Sequence, residues 1–363
     1  MAIELASLSL RGFKTIRQLD DFRPGRINVL IGGNGTGKSN LISFFRLLSW
    51  MAAGDFANYV GVQGGASALL HAGPERTREI EAKLSLRTES GDNDYHFRLF
   101  HAAGDTLIFA EERCQYRPAG VGGARWIDLG AGHREAGLRE HEHSTPRTIH
   151  ALLRKLIVHQ FHNTSASARA RSKWNVDDNR WLKEDAGNLA AFLLRLRDNE
   201  AAYYRRVVDT LRLMLPFFVD FVLEPEHSRV LLQWRERGND ALLNASQAAD
   251  GMLRVMALVA LLLQPERDLP AVLILDEPEL GLHPYAITIV AGLLRAASLR
   301  AQVFVATQSV ALLDHFEPED VVVVERVGAE SSFERLDPDR LREWLEEYSL
   351  SELWEKNVLG GRP

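Results

Sequence analysis

The run Gly32-Gly33-Asn34-Gly35-Thr36-Gly37-Lys38-Ser39 constrains this chain more than any other feature. It satisfies the pattern Gly-x4-Gly-Lys-Ser/Thr at every fixed position. Glycines let a backbone curl until successive N–H groups point inward at an anion. Residues 26–31 (RINVLI) before it read as a short apolar strand, and residues 39–53 after it as an amphipathic helix. In that order the helix offers its free N–H groups and positive dipole end to the same anion. The expected ligand is ATP, with Lys38 on the β- and γ-phosphates and the Ser39 hydroxyl on Mg²⁺. A chance glycine turn would lack these flanks.

A second apolar run, Val272-Leu273-Ile274-Leu275, ends in Asp276-Glu277. Acids confined to the C-terminal end of a buried strand sit where open parallel sheets bind ligands. Asp276 is expected to hold Mg²⁺, through its water, and Glu277 to polarise an attacking water as general base. The bland alternative is an acidic turn before Pro278.

The rest of the chain fits around these two runs. Strands are expected at 4–11, 80–87, 95–101 and 106–116, the last three forming an antiparallel sheet. Residues 54–77 read as a surface loop and 117–147 as irregular and exposed. A helix at 148–156 leads into a strand at 157–162. Residues 163–186 are polar. Helices follow at 188–197 and 201–213, then strands at 217–223 and 229–234. From residue 251 helices alternate with strands at 271–275, 302–306 and 321–324, which predicts parallel pairing in a covered sheet. Four parts are expected: 1–116, half of a nucleotide lobe; 117–245, an inserted lobe; 246–336, the other half; and 337–363, a helical tail.

Composition narrows the classes. The 363 residues are 46% apolar and 25% charged, with net charge −6. That length buries a core without staples, and the charge argues against bulk adhesion to nucleic acid. The single cysteine, Cys114, excludes a disulfide within the chain and favours a reducing, cytoplasmic setting. No apolar stretch is long enough to span a bilayer. The start, MAIELASLSLRGFK, alternates like a strand rather than a secretion leader.

Asp276-Glu277-Pro278-Glu279-Leu280-Gly281-Leu282-His283-Pro284 resembles the matching stretch of ABC-type ATPases of the RecF, SMC and OLD kind. Gly12-Phe13-Lys14, the cradle's end Gly37 to Asn40, Ala306-Thr307-Gln308-Ser309 and the tail from about Trp344 to Pro363 resemble the same group, as found in stand-alone, SMC-like bacterial ATPases. The resemblance is weak over 54–150. It implies an α/β P-loop NTPase with an ABC-type, RecF-like head, mixed parallel and antiparallel sheets and an inserted helical lobe. It also implies a head-to-tail homodimer, each ATP lying between one cradle and the other copy's signature helix. The signature candidate is Ala249-Asp250-Gly251, where the group's usual core is Ser-Asp-Gly. Backbone N–H groups at Gly251 and Met252, or the Ser246 hydroxyl, would serve in the serine's place. Gln308 takes the position of a switch histidine, Gln160 that of the metal-sensing glutamine, and Glu279 and His283 fall where a loop would cross the dimer axis.

Weaker signals remain open. His133, His141, His143 and His150 crowd one polar loop, as a metal site or as solvated residues. Arg169, Arg171, Lys173, Arg180 and Lys183, interleaved with Trp174 and Trp181, would either track nucleic acid or pack on the nucleotide lobe. Leu341, Trp344, Leu345, Leu350, Leu353 and Trp354 read as core or as a docking face. The stretch between cradle and signature lacks sustained heptads, which excludes a long coiled coil. About 55 residues follow Gln308, too few for an appended nuclease domain. The expected function is an ATP-hydrolysing dimer switch that controls a separate effector, plausibly a nuclease, in DNA maintenance or anti-phage defence. A scaffold with little hydrolysis and a DNA-binding repair ATPase are the alternatives. A transporter subunit fits less well, because the signature lacks Leu-Ser-Gly-Gly-Gln.

Overall fold

The computed structural model describes residues 3–120, 124–165 and 167–362. A six-stranded sheet forms the centre, in the order Glu330–Arg335, Val321–Val327, Ile27–Ile31, Gln302–Ala306, Val272–Asp276, Leu156–His159. All neighbours are parallel except Glu330–Arg335, which returns antiparallel as a hairpin. Ile27–Ile31 and Gln302–Ala306 are buried at every residue, as a parallel sheet covered on both faces requires. Alternate residues serve opposite cores. Val303 and Val305 join the helical core, whereas Phe304 and Ala306 join the core around helix Lys38–Ala53.

A second six-stranded sheet is antiparallel throughout: Ile16–Phe22, Glu4–Phe13, Glu79–Thr88, Gly91–Ala102, Thr106–Pro118, Ile127–Gly130. Helix Lys38–Ala53 lies between the two sheets. Its Phe44 meets Phe13 of the antiparallel sheet edge-on at 5.8 Å, and its Phe45 meets Phe304 of the central sheet at 5.1 Å. Burying such rings on both sides fixes the helix, and with it the loop that feeds it. Buried Gln302 ties the sheets together, accepting from Leu5 N–H at 2.9 Å and donating to Gly25 O at 3.0 Å. Helices Leu189–Asn199, Ala201–Met214, Asp250–Leu262 and Pro284–Ser298 pack into the core on the other face. Beside them lies a three-stranded sheet, Phe218–Val222, Gln233–Glu236 and Asn239–Asn244.

The architecture is the expected α/β fold with mixed sheets. Local departures have simple causes. The stretch 54–77, expected as a surface loop, contains helix Phe56–Val62, whose Phe56, Tyr59 and Val60 are buried at i, i+3, i+4 spacing. Strands Ile16–Phe22, Ile127–Gly130, Asn239–Asn244 and Glu330–Arg335 were not expected. All are edge strands, where one covered face or none leaves a polar sequence. Among the described residues no helix is long and apolar enough to cross a membrane.

Candidate functional site

The glycine loop leaves the central sheet after Ile31 and enters its helix at Lys38. Gly32 has φ +153°, and a Cβ there would sit 2.3 Å from Val324 O. Gly37 has φ +122°, and a Cβ there would meet Ser331 Oγ at 2.1 Å. Both conformation and close approach therefore demand glycine. Lys38 is only 5% exposed. Its Nζ donates to the carbonyl of Gly32 and, at 3.0 Å, to that of Gly33. Desolvation pulls its pKa below the usual lysine value, opposed by the charges of Glu277, Asp276 and Glu279. A buried ammonium satisfied only by backbone oxygens suits an anion beside it. Asn34 and Gly35 are exposed at the rim, and Thr36 Oγ1 donates to Gly33 O at 3.0 Å. Ser39 is exposed, its hydroxyl unengaged among the described residues, while Asn40 Nδ2 donates to Thr15 Oγ1 at 2.6 Å.

Asp276 and Glu277 lie one strand beyond the neighbour of Ile27–Ile31, at the same sheet end as the loop. Asp276 Oδ2 accepts from Gln160 Nε2 at 2.9 Å, and its backbone carbonyl from His162 Nε2 at 2.8 Å. Burial raises its pKa; His162 opposes and Glu277 adds to the rise. Glu277 has φ +43°, a left-handed conformation rare for a side-chain-bearing residue and concentrated at functional sites. Its N–H donates to Ala306 O at 2.8 Å. Gln308 Nε2 donates to Glu277 Oε1 at 2.7 Å and to Asn34 Oδ1 at 2.9 Å, so one amide joins the acid to the cradle. Gln160 Oε1 accepts from Arg46 Nη2. As the side chain stands, Gln160 orients Asp276, and its oxygen would have to leave Arg46 before meeting a cation. Nothing in the sequence reading flagged Arg46; the available signal was one arginine inside the apolar LISFFRLLSW.

The donors fit Mg²⁺. Ser39 and Asp276 offer hard oxygen, and among the described residues no group of three or more His, Cys, Asp or Glu could cage a metal. Mg²⁺ completes its shell with phosphate oxygens and water.

The signature candidate lies elsewhere. Ala249 precedes helix Asp250–Leu262 in extended conformation and gives no side-chain cap. A Cβ on Gly251 would sit 2.7 Å from Gly281 O, so this helix starts hard against the turn after Glu277. Arg171 donates to Ala248 O at 3.1 Å, to Asp250 Oδ1 at 3.0 Å and to Ala245 O. Arg254 donates to Phe161 O at 3.2 Å, His162 O at 3.3 Å and Leu280 O at 2.9 Å, joining three segments. Ser246 Oγ is engaged with Asn244 Oδ1 at 2.5 Å. Among the described residues no hydrogen bond joins the 248–252 stretch to the cradle.

The remaining candidate residues are held by contacts within the chain. Glu279, placed at a dimer axis, is 8% exposed and accepts from Thr307 Oγ1 within its own chain, leaving Oε2 without a partner. His283 is exposed and caps helix Pro284–Ser298, accepting from Tyr285 N–H at 3.3 Å. The histidines do not assemble: His133 stacks on Phe109, His150 bonds Ala52 O, and His141 stacks on His143. Of the basic loop, Arg171 is spent on the signature stretch, and Arg169 covers Trp174 at 4.6 Å. In the tail Leu341, Leu350, Leu353 and Trp354 are buried and Trp344 is exposed. Trp354 Nε1 donates to Gly361 O at 2.8 Å, and a Cβ on Gly361 would come within 3.5 Å of Gly32 Cα.

Residues 27–314 match the family model described as "AAA domain, putative AbiEii toxin, Type IV TA system". No curated protein sequence matches the chain. Among solved structures it is similar to an SmcHead bound to the C-winged helix domain of ScpA, at TM-score 0.62 and 15% identity, covering 93% of this chain and 99% of that one. It is similar to the Pyrococcus furiosus Smc head domain with an extended coiled coil, bound to the C-terminal domain of ScpA, at TM-score 0.60, 14% identity and 95% and 99% coverage. It is also similar to the Pyrococcus yayanosii Smc head domain with a coiled coil and joint, at TM-score 0.54, 12% identity and the same coverage.

Proposed function

This chain belongs to the AAA-domain family whose model it matches, and on that premise we propose that it is an SMC-like ATPase working as an ATP-gated dimer switch for a separate partner. One observation carries the reading. The cradle, Asp276-Glu277 and Gln308 converge at one end of the central sheet, while among the described residues Ala249-Asp250-Gly251 makes no bond to them. On this reading the site is half-built in one copy, and the N-terminus of a second copy's helix, which has no side-chain cap, would complete it.

In this reading the N–H groups from Gly33 to Ser39 and the Lys38 ammonium hold the β- and γ-phosphates. Ser39 and Asp276, with Gln160 after release from Arg46, would hold Mg²⁺. When bound, Mg²⁺ neutralises charge on the transferring phosphoryl group. Glu277 takes the proton of the attacking water. Gln308 keeps Glu277 and Asn34 in register, and on releasing Asn34 its amide would have an N–H to give the γ-phosphate. Ala249 supplies no hydroxyl across the dimer, so turnover is slow.

A partner would have the exposed Trp344 of the tail to meet. Two similar structures contain a ScpA domain bound to the head, which supports a protein effector here; a nuclease serving DNA maintenance or anti-phage defence in the cytoplasm is the version we adopt. The scaffold reading rests on Ala249 alone. Direct DNA binding is disfavoured by the net charge of −6 and by the internal use of Arg171.

The test is Glu277→Gln. Phosphate release should fall by about 10²-fold or more, with ATP still bound. Light scattering should then show the variant with ATP at twice the mass of the chain. Unchanged phosphate release removes the enzymatic reading; a single-copy mass with ATP bound removes the dimer.

A further inference from the structure

A cavity of about 700 Å³ lies at the free edge of the central sheet, away from the cradle. Its walls are the last turn of helix Lys38–Ala53, edge strand Leu156–His159, helix Ser144–Leu153 and the loop of residues 181–185. Lys38 and the cavity residue Ser49 are eleven residues apart on one helix, or ~16 Å at 1.5 Å per residue.

The lining has a specific chemistry. Arg139 and Arg154 are exposed, and their guanidiniums make no ion pair or hydrogen bond among the described residues. Arg169 and Lys183 also line it, but each is offset by a carboxylate, Asp185 at 3.4 Å and Asp178 at 3.0 Å. Trp181 is 52% exposed, with Arg180 stacked on its ring at 4.7 Å. Glu184 and Asp185 on the same lining would repel a bare polyanion. Two free guanidiniums, a flat indole and nearby acids select a ligand with phosphate at one end and an uncharged ring at the other.

The cavity is wired to the catalytic acids. Glu184 O accepts the backbone N–H of Gln160 at 2.9 Å, and the Gln160 side chain donates to Asp276 at 2.9 Å. Ser49 Oγ donates to Leu156 O at 3.0 Å, tying the cavity's helix to its strand. A ligand that moves the 181–185 loop therefore moves Gln160.

We propose that this cavity is a second, regulatory site for a nucleotide unit, its phosphate on Arg139 and Arg154 and its base on Trp181. Only the regulatory half rests on the ATP-switch reading. The volume lies within the range of small-ligand sites, and the source is a free nucleotide or one unit of a single strand.

The experiment uses the full chain with Mg²⁺ and a saturating non-hydrolysable ATP analogue, so that the cradle is filled. Thymidine 5′-monophosphate and a 5′-phosphorylated thymidine hexanucleotide are titrated by calorimetry into the wild type, the Arg139→Ala/Arg154→Ala double variant and Trp181→Ala. At least one probe should bind the wild type, and about tenfold or more weakly in each variant. Binding of the mononucleotide assigns a free nucleotide; binding of the hexanucleotide alone assigns a strand. No binding, or binding undiminished in the variants, overturns the site. Coupling is read without turnover: the bound probe should change the affinity for the ATP analogue about threefold or more, in the wild type only. Unchanged analogue affinity with the probe bound overturns the regulatory half. Failure of the analogue itself to bind would instead sink the ATP reading.

Discussion

Gly251→Ala separates the two things a glycine at the head of the signature helix could be doing. Inside a helix, replacing glycine by alanine gains roughly 0.5–1 kcal/mol by removing backbone freedom from the unfolded chain. At Gly251 the new Cβ would lie 2.7 Å from Gly281 O, a backbone atom that cannot swing aside. Ordinary contact needs about 0.7 Å more, and overpacking of this kind costs about 1–3 kcal/mol. The net expectation is a loss of about 0–2 kcal/mol. Gly292→Ala, mid-helix in Pro284–Ser298 with nothing within 4 Å of its Cβ, should show the gain alone. The two variants should therefore differ by about 1–3 kcal/mol, or roughly 1–4 °C in Tm. Function should suffer more. Gly281 follows Leu280, whose carbonyl Arg254 holds together with Phe161 and His162 beside Gln160. Displacing that turn by a fraction of an ångström should lower ATP turnover about tenfold or more, since an ångström of misplacement can cost 10²-fold. Thermal melts and phosphate release measure both. If Gly251→Ala melts above wild type as Gly292→Ala does, and turns over normally, the close approach at Gly281 does not govern the site.

Three further outcomes follow from single contacts. Gly361→Ala combines φ +60° with a Cβ 2.8 Å from Val323 Cγ1, whereas Gly328→Ala combines φ +65° with open space. Both carry about 1–2 kcal/mol of left-handed strain, so the excess destabilisation of Gly361→Ala in urea, with weaker ATP binding, measures how the tail braces the cradle; equal losses would refute the bracing. Thr307→Val strips a donor from buried Glu279 and should cost about 1–3 kcal/mol. Burial already raises the Glu279 pKa and the Thr307 bond opposes this. A raised acid binds its proton more tightly folded than unfolded, so stability falls as pH rises through the window above the ordinary glutamate value. Losing Thr307 widens that window, and the deficit should be larger at pH 8 than at pH 5 in matched urea melts; the reverse order would contradict it. Burial pushes the Cys114 thiol up to about 12, so alkylation at pH 8 should proceed only as fast as the chain unfolds. Rapid labelling of the folded chain would refute this.

The cradle was legible because its requirements are local: glycines, a lysine and a flanking strand and helix sit within thirty residues or so. The Asp276-Glu277 strand was legible for the same reason. Arg46, Arg171, Arg254 and Ser331 were not, because their partners are distant in the chain and mostly featureless backbone carbonyls. Arg171 reaches Ala245 and Ala248, and Ser331 Oγ donates to Thr36 O across 295 positions at 2.5 Å. Nothing in an arginine's neighbours announces such a bond. The basic loop allowed two readings, an external nucleic acid or packing on the nucleotide lobe, and Arg171 takes the inward one. Edge strands such as Glu330–Arg335 escaped because a strand covered on one side carries no apolar run to detect.

Those distant contacts explain why the glycine loop holds its shape. A run of glycines has the most backbone freedom to lose, and alone it would seldom be found curled around an anion. Here it is walled by the far end of the chain. Val324 O crowds Gly32, Ser331 crowds Gly37, and Arg326 Nη1 donates to Gly35 O at 3.3 Å. Behind them Gly361 N–H donates to Glu325 at 2.6 Å, and its carbonyl receives the buried Trp354 indole. The hairpin of Val321–Val327 and Glu330–Arg335 therefore does for the loop what a bound phosphate would otherwise do, and removes ordering cost from ATP binding. The same contacts run in the other direction. Helix Leu350–Glu355 is fixed to the cradle through Trp354 and Gly361, and the neighbouring helix Pro338–Leu345 carries the exposed Trp344. A partner that gripped the tail would pull on the wall of the phosphate site, since residues 354–361 help to hold the glycine loop.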